Sequence, residues 1–366
     1  MVVGERKKNH HDEKARPARP RRYLPWVILA IGVPLSIAAY FSVKDWEKAV
    51  TRTDFEILSA SHSAAVYNEL ARHLDASEAL LGLYDVSPQV DRRQFAQFTA
   101  TLIAKHNDIQ ALMWAPRVST TQRTALVQQA AQNGFMNFHI RDVNGNVAPV
   151  AATSPTDYFP IYYVQPEKQN DDLLGVDLMA DPNYHAMLET ARDTGQMAVS
   201  PPVQLNLKLE SRMGNGVLLA QAVYQRDANL ETVAGRRAGL EGYMLQLFRI
   251  GDLIEEALKE SAVLGLDISV VYGKNPGDLQ RNYFHSSASR TDHIIDSLSR
   301  DSTSGLQLRT PLEGLGKSWG LMFTPAPRFW SNHQMWTSWA VLATGLLLTL
   351  LLATFASMLS RRPNQP

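Results

Sequence analysis

The sequence has no cysteine. That excludes disulfides, thiolate nucleophiles and cysteine metal sites, and it is compatible with an oxidising periplasm. Net charge is also missing, since 36 Lys and Arg balance 36 Asp and Glu. Beyond the N-terminal tail there is no basic cluster, so nucleic-acid binding lacks its electrostatic footprint. The ten histidines are scattered without an HExxH spacing, which gives metal binding weak support. Gly214-Asn215-Gly216 lacks the third glycine of a phosphate loop and leads into an apolar strand, so it reads as a turn. Ser200 precedes Pro201 and makes no nucleophile elbow. No arrangement points to catalysis.

Charge is absent in a second, local sense. Residues 23–43 (YLPWVILAIGVPLSIAAYFSV) and 335–359 (MWTSWAVLATGLLLTLLLATFASML) contain no Asp, Glu, Lys, Arg or His. Each is long enough to cross a hydrocarbon core of about 30 Å. The first is read as a span rather than a cleaved signal peptide. Its apolar core exceeds the usual ~7–15 residues, and no small-x-small site follows it. Pro34 is tolerable inside lipid. The second span carries no Asn or Gln, which argues for an anchor and against a transport pathway. Arg6, Lys7, Lys8, Lys14, Arg16, Arg19, Arg21 and Arg22 precede the first span, and Arg361 and Arg362 follow the second. Basic flanks stay in the cytoplasm, so both termini are expected inside the inner membrane and the intervening chain in the periplasm. Trp26, Trp330, Trp336 and Trp339 suit the two interfaces.

Between the spans, residues 44–83 read as one helix, with Trp46, Val50, Ile57, Ala60, Ala64, Leu70, Leu74 and Leu81 at intervals near three and four. A helix leaving the membrane makes a stiff stalk. Ser87-Pro88 breaks it, and 91–105 resume as a second helix on Phe95, Phe98, Leu102 and Ile103. Strand patterns are predicted at 109–114, 138–143, 158–164, 217–224 and 242–248, with helices at 121–131 and 182–192. Asn144-Gly145 is a hairpin signal, and Pro160 suggests an edge strand. A helix at 250–260 and strands at 266–272, 282–285, 306–309 and 319–323 follow. The pattern gives an α+β class with two stacked lobes.

Several stretches then carry a family likeness. ALMWAPRVSTTQR (111–123), YFPIYYVQPEKQN (158–170), LLGVDLMADP (173–182), ARDTGQMAVSPPVQL (191–205), VLLAQAVY (217–224) and TVAGRRAGLEGYMLQLFRIGDLIEEAL (232–258) occur in one order. Together they resemble the CHASE domain, the extracytoplasmic sensory domain of bacterial diguanylate cyclases, phosphodiesterases and histidine kinases and of plant cytokinin receptors. The resemblance implies a long N-terminal stalk helix followed by two PAS-like lobes between two transmembrane helices. The expected division is 1–22 basic cytoplasmic tail, 23–43 first span, 44–105 stalk and second helix, 106–240 membrane-distal ligand lobe, 241–334 membrane-proximal lobe, 335–359 second span and 360–366 cytoplasmic stub. It implies a small-molecule sensor without enzymatic activity of its own. The signal would pass to a cyclic-di-GMP or kinase output beyond a truncated C-terminus, or to a partner. A membrane-anchored periplasmic binding or scaffold protein is the alternative. A homodimer, contact with membrane lipid and no cofactor are also expected.

For ligand contacts, the resemblance places Asp177 where plant members hold an adenine-type ligand. Val199 and Ser200 fall on the pocket wall. Ala220 stands where a threonine hydroxyl would be, which argues against a cytokinin-type ligand. Physically, Asp177 lies between Val176 and Leu178, where its carboxylate can accept from ligand N–H groups or cap the helix that begins near Pro182. Asp181 is the better cap. Arg117 can bind an anion or fix a strand end. Tyr158, with Tyr162 and Tyr163, can line the pocket or belong to the core.

Overall fold

The structure, a computed structural model, describes residues 23–86, 90–106, 109–143, 146, 157–203, 216–259, 265–286, 305–333 and 336–360. The Asn144-Gly145 turn, the Ser87-Pro88 break and the basic tail lie outside these. The chain divides into two compact units, one holding the described residues up to Thr53 and from His333, the other Asp54–Asn332.

Helix α1 runs unbroken over Leu24–Val86, because neither glycine nor proline occurs between Pro34 and Gly82. In the first unit it meets the last helix, α9 (Trp336–Ser360). Both α1 and α9 contain stretches long and apolar enough to cross a membrane. They pack through small residues. A Cβ on Gly32 would lie 2.5 Å from Thr349 Cγ2, and one on Gly345 2.6 Å from Ser36 Oγ. Such residues let backbones approach closely. Glu47 Oε1 accepts from the Thr337 and Ser338 amides at 3.0 and 3.2 Å, satisfying orphan donors at the start of α9.

The second unit carries two antiparallel sheets. Helix α2 (Arg92–Lys105) is started by a capping box between Asp91 and Gln94. Strand β1 (Ile109–Pro116), helix α3 (Arg123–Gln132), strand β2 (Tyr163–Gln165) and the short α4 (Glu167–Asn170) follow. Helix α5 (Pro182–Thr194), strands β3 (Ala198–Val199) and β4 (Gly216–Tyr224), helix α6 (Val233–Gly239) and strand β5 (Leu240–Arg249) complete the first half. Its sheet has the order β2-β1-β5-β4-β3. Strand β5 pairs with both β1 and β4. The first sheet therefore extends to Arg249, past the 240/241 division expected from sequence. Helix α7 (Ile250–Leu258), strands β6 (Leu266–Tyr272), β7 (Gln280–His285), β8 (Leu308–Pro311) and β9 (Trp319–Pro325) and helix α8 (Pro327–Asn332) build the second half, with sheet order β7-β6-β9-β8.

Side-chain alternation gives the first sheet two different faces. Leu112, Trp114 and Met244 pack with Leu80 and Tyr84 of α1 and Phe95 of α2. Ala111, Met113, Ala115, Leu218, Ala220, Tyr243, Leu245 and Leu247 point the other way, toward Met187, Leu188 and Ala191 of α5. A third cluster joins Phe55, Val66 and Leu70 of α1 to α7 and the second sheet.

Three expectations need correction. The stretch 138–143 is no strand. Phe138 and Ile140 are buried in alternation, which imitates one, but only Arg141 makes a bridge, to Val176. Of 158–164, only Tyr163 and Val164 enter the sheet, while Tyr158 and Pro160 make isolated bridges to Val118 and Asp177. On α1 the apolar residues chosen for the inward face are partly misplaced, since Ile57 is 63 % exposed while Ser59, His62 and His73 are buried.

Candidate functional site

Asp177 sits where the chain leaves its bridge with Pro160 and enters the 3₁₀ turn Leu178–Ala180. Its own N–H donates to the Arg141 carbonyl at 2.8 Å. Its Oδ1 accepts from the amides of Phe159 and Met179, each at 3.1 Å. Asp181 caps α5 through the Asn183 amide. The capping question thus has two answers: Asp181 caps α5, and Asp177 caps the turn before it. Neither bond uses Asp177 Oδ2. The residue is only 5 % exposed, and burial pushes its carboxyl pKa up against the lowering influence of the two amides and His185. A carboxylate in that position gains from any further donor.

The residues around it come from the α5 face of the first sheet. Phe159, whose amide binds Asp177, sets its ring centre 4.9 Å from that of Tyr243 of β5, the two planes tilted by 58°. The Tyr243 hydroxyl is buried without a hydrogen-bond partner among the described residues. Burial pushes its pKa up, opposed by nearby Arg192. Ala220 of β4 lies on this same face, paired with Leu245 and Ala198. With Ala111, Ala115 and Ala198 it supplies a run of small buried side chains in the cluster packed against α5. Tyr224 closes one end by donating to the Arg192 carbonyl at 2.6 Å. Beyond it, Arg237 grips Asp193 through two bonds, 2.9 and 2.6 Å, and Arg192 adds a third at 2.7 Å. These guanidinium groups, Arg237 first, hold the Asp193 carboxyl far below its ordinary range. The network fastens α6 to the C-terminus of α5.

The other sequence candidates are dispersed. Val199 pairs with Leu219 and packs against the cluster of the second sheet, on the face opposite Ala220. Ser200 is buried and internally satisfied. Its Oγ donates to the Pro201 carbonyl at 2.6 Å and accepts from the Leu218 amide at 3.1 Å. Its carbonyl accepts from Trp319 Nε1 at 3.2 Å, which ties β3 to β9. Tyr158 belongs to the stalk-side cluster, with the Arg123 guanidinium 5.3 Å from its ring centre. Arg117 pairs with Asp157 at 2.6 Å and serves the strand end. Of the five predicted site residues, Ala220 lies in the cluster that holds Val176 and Leu178, the two chain neighbours of Asp177. Sequence reasoning missed Phe159, Tyr243 and Tyr224. The alternation of GYMLQLF (242–248) carried the signal for Tyr243. On the opposite face, Ser77 and Leu80 of α1 meet Leu219, Met244 and Gln246 of the sheet across a seam too tight to hold a water molecule.

Comparison with known proteins bears on this architecture. The CHASE domain family model matches residues 88–283. The hybrid signal transduction histidine kinase A of Dictyostelium discoideum is 24% identical over 350 residues, 90% of this chain and 16% of that protein. The chain thus spans about a sixth of the relative's length. An extracellular ligand binding receptor from Desulfohalobium retbaense shares 12% identity, covering 74% of this chain and 40% of the receptor, with a TM-score of 0.41.

Proposed function

The chain belongs to the CHASE-domain family, and we propose that it is the sensory part of a transmembrane receptor that binds a small molecule outside the cytoplasm. The observation that carries this reading is a sensory domain over 88–283 bracketed by two long apolar helices. In this reading α1 and α9 cross the inner membrane and both termini are cytoplasmic. The first sheet forms the distal, PAS-like lobe up to Arg249, and the second sheet forms the proximal one. A ligand with N–H donors and a flat apolar body would lie on the α5 side, its donors at Asp177 Oδ2 and its body against Phe159, Tyr243 and the run of alanines. Ala220 offers no hydroxyl there, which fits a ligand other than a cytokinin. Val199 and Tyr158 face elsewhere and drop out of the proposed contacts, and Ser200 acts as a strut between lobes.

Binding would bias α1 against α9 only as far as the ligand prefers one state of the receptor. Output would be histidine kinase or cyclic-di-GMP chemistry in a further domain or partner, and pairing of stalks in a twofold dimer would carry it.

The test is mass spectrometry of small molecules co-purified with the full chain in detergent, followed by thermal shift with the compounds found. A charge-assisted hydrogen bond contributes about 1.5–3 kcal/mol. Asp177→Asn keeps an Oδ1 acceptor for the two amides while removing the charge, so it should weaken binding roughly 10- to 100-fold at nearly unchanged melting temperature. Unchanged affinity would remove Asp177 from the site. A metabolite library that never shifts the melting temperature would defeat the sensor reading.

A further inference from the structure

Two imidazoles and a carboxylate meet on the stalk side of the first sheet, well away from Asp177. Glu69 and His73 are one turn apart on the buried face of α1. His106 ends α2, its amide bonded back to Leu102 and Ile103 and its carbonyl accepting from the amide of Ile109 at the start of β1. One ligand atom from each of the three lies within 4.8 Å of the others. We infer that Glu69, His73 and His106 form a binding site for a divalent transition-metal ion of the zinc class, clamping the stalk helix to the lead-in of β1.

The donor set decides the class. Two nitrogens and one carboxylate oxygen suit zinc or ferrous iron and leave an open position for water, whereas magnesium and calcium prefer all-oxygen cages. Ligand atoms around a tetrahedral zinc sit roughly 3.4 Å apart, so the three side chains need to close by little more than an ångström through their own torsions.

The surroundings are those of a ligand histidine. The His73 ring is stacked on Phe248 at 4.9 Å and 29°, which fixes its plane. Its Nδ1 lies 3.0 Å from the side-chain amide nitrogen of Gln246, and Gln246 Oε1 meets the Ser77 hydroxyl. Turning that amide over places Oε1 on an Nδ1–H and the NH₂ on Ser77 Oγ, a hydroxyl that both donates and accepts. Metal-bound imidazoles ordinarily donate their second N–H to such a buried acceptor, so His73 would ligate through Nε2. Arg72, largely exposed, lies against the Glu69 carboxylate as an ion pair without hydrogen-bond geometry to Oε2. It can swing into water when a dication arrives. No spacing in the sequence announces the site, because α1 and the end of α2 meet only in the fold.

The experiment is isothermal titration of Zn²⁺ into the chelator-treated full chain in detergent, in a His10→Ala/His11→Ala background that removes the paired tail histidines. Cobalt(II) absorption serves as a second readout. One ion per chain is expected, together with visible d–d bands of a low-coordinate cobalt site and no comparable binding of Mg²⁺ or Ca²⁺. His106→Ala and the isosteric Glu69→Gln should each weaken Zn²⁺ by at least about tenfold. Should His106→Ala fail to fold, Glu69→Gln alone decides. Absence of Zn²⁺ binding, or unchanged affinity in Glu69→Gln, overturns the assignment and leaves a polar trio without a metal.

Discussion

Buried polar side chains on α1 distinguish this stalk from an ordinary amphipathic helix, and His62 states the cost most directly. It is 3 % exposed, and both its ring nitrogens lack a hydrogen-bond partner among the described residues. Burial first, and then repulsion from His285, depresses its pKa below the ordinary 6.5. His285 is itself held 2.9 Å from Glu255. With the folded value lowered, the unfolded chain takes up a proton that the native state refuses. Stability is therefore full above about pH 6.5 and is lost as the pH falls from there toward the folded value. Urea unfolding of the second unit's signal between pH 7 and 5 should show that decline, and His62→Leu should flatten it. An equally steep profile in the variant would place the sensitivity elsewhere. Asp177 works in the opposite sense. Its raised folded pKa means stability is lost as the pH rises from the ordinary 3.8 through the folded value. Asp177→Asn should remove that loss, and a ligand cation should reverse it with proton release measurable by titration in two buffers.

Elements were legible in the sequence to the extent that their signals are local. The apolar run of β4, the alternation of β5, the strand ended by Gly273 at β6 and the Asp181–Pro182 start of α5 all declare themselves within a few residues. The α1 face did not, because its inward positions are filled by Ser59, His62, Glu69 and His73 where the sheet demands small or polar groups. Nor did the parity of β3. Val199 and Ala220 were placed in one pocket by resemblance, yet Ala198 is the partner of Ala220, so Val199 must point away. Pairing register is a long-range property, and no local motif reports it. The β1–β5 pairing is close at its Gly242 end. A Cβ on Gly242 would strike the Ala115 carbonyl and lie 2.9 Å from Pro116 Cα. Gly242→Ala should therefore cost about 1–3 kcal/mol, seen as a lower urea midpoint. A neutral effect would mean that β1 can shift outward.

For the molecule as a whole, the absence of cysteine becomes an instrument. Met136 is 78 % exposed in the second unit, so Met136→Cys offers a single thiol for membrane-impermeant labelling of intact cells. Labelling without lysis is expected if that unit lies outside. Labelling only after lysis would reverse the orientation. A Ser36→Cys/Gly345→Cys pair should crosslink spontaneously on oxidation, because the Gly345 Cβ position lies 3.0 Å from Ser36 Cβ.

That contact also limits how the two apolar helices can travel. Gly32 opposes Thr349 and Ser36 opposes Gly345, an interlock repeated every fourth residue and continued by Ala353, which is also buried. A smooth slide would drive a threonine methyl or a serine hydroxyl into backbone. The nearest other seat is one notch along, about 6 Å at 1.5 Å per residue, where Tyr40 would have to mount Gly345. Motion between these helices is therefore detented. Small tilts and rotations within a notch are cheap, piston strokes of a few ångströms are not, and a receptor built on them would count in steps.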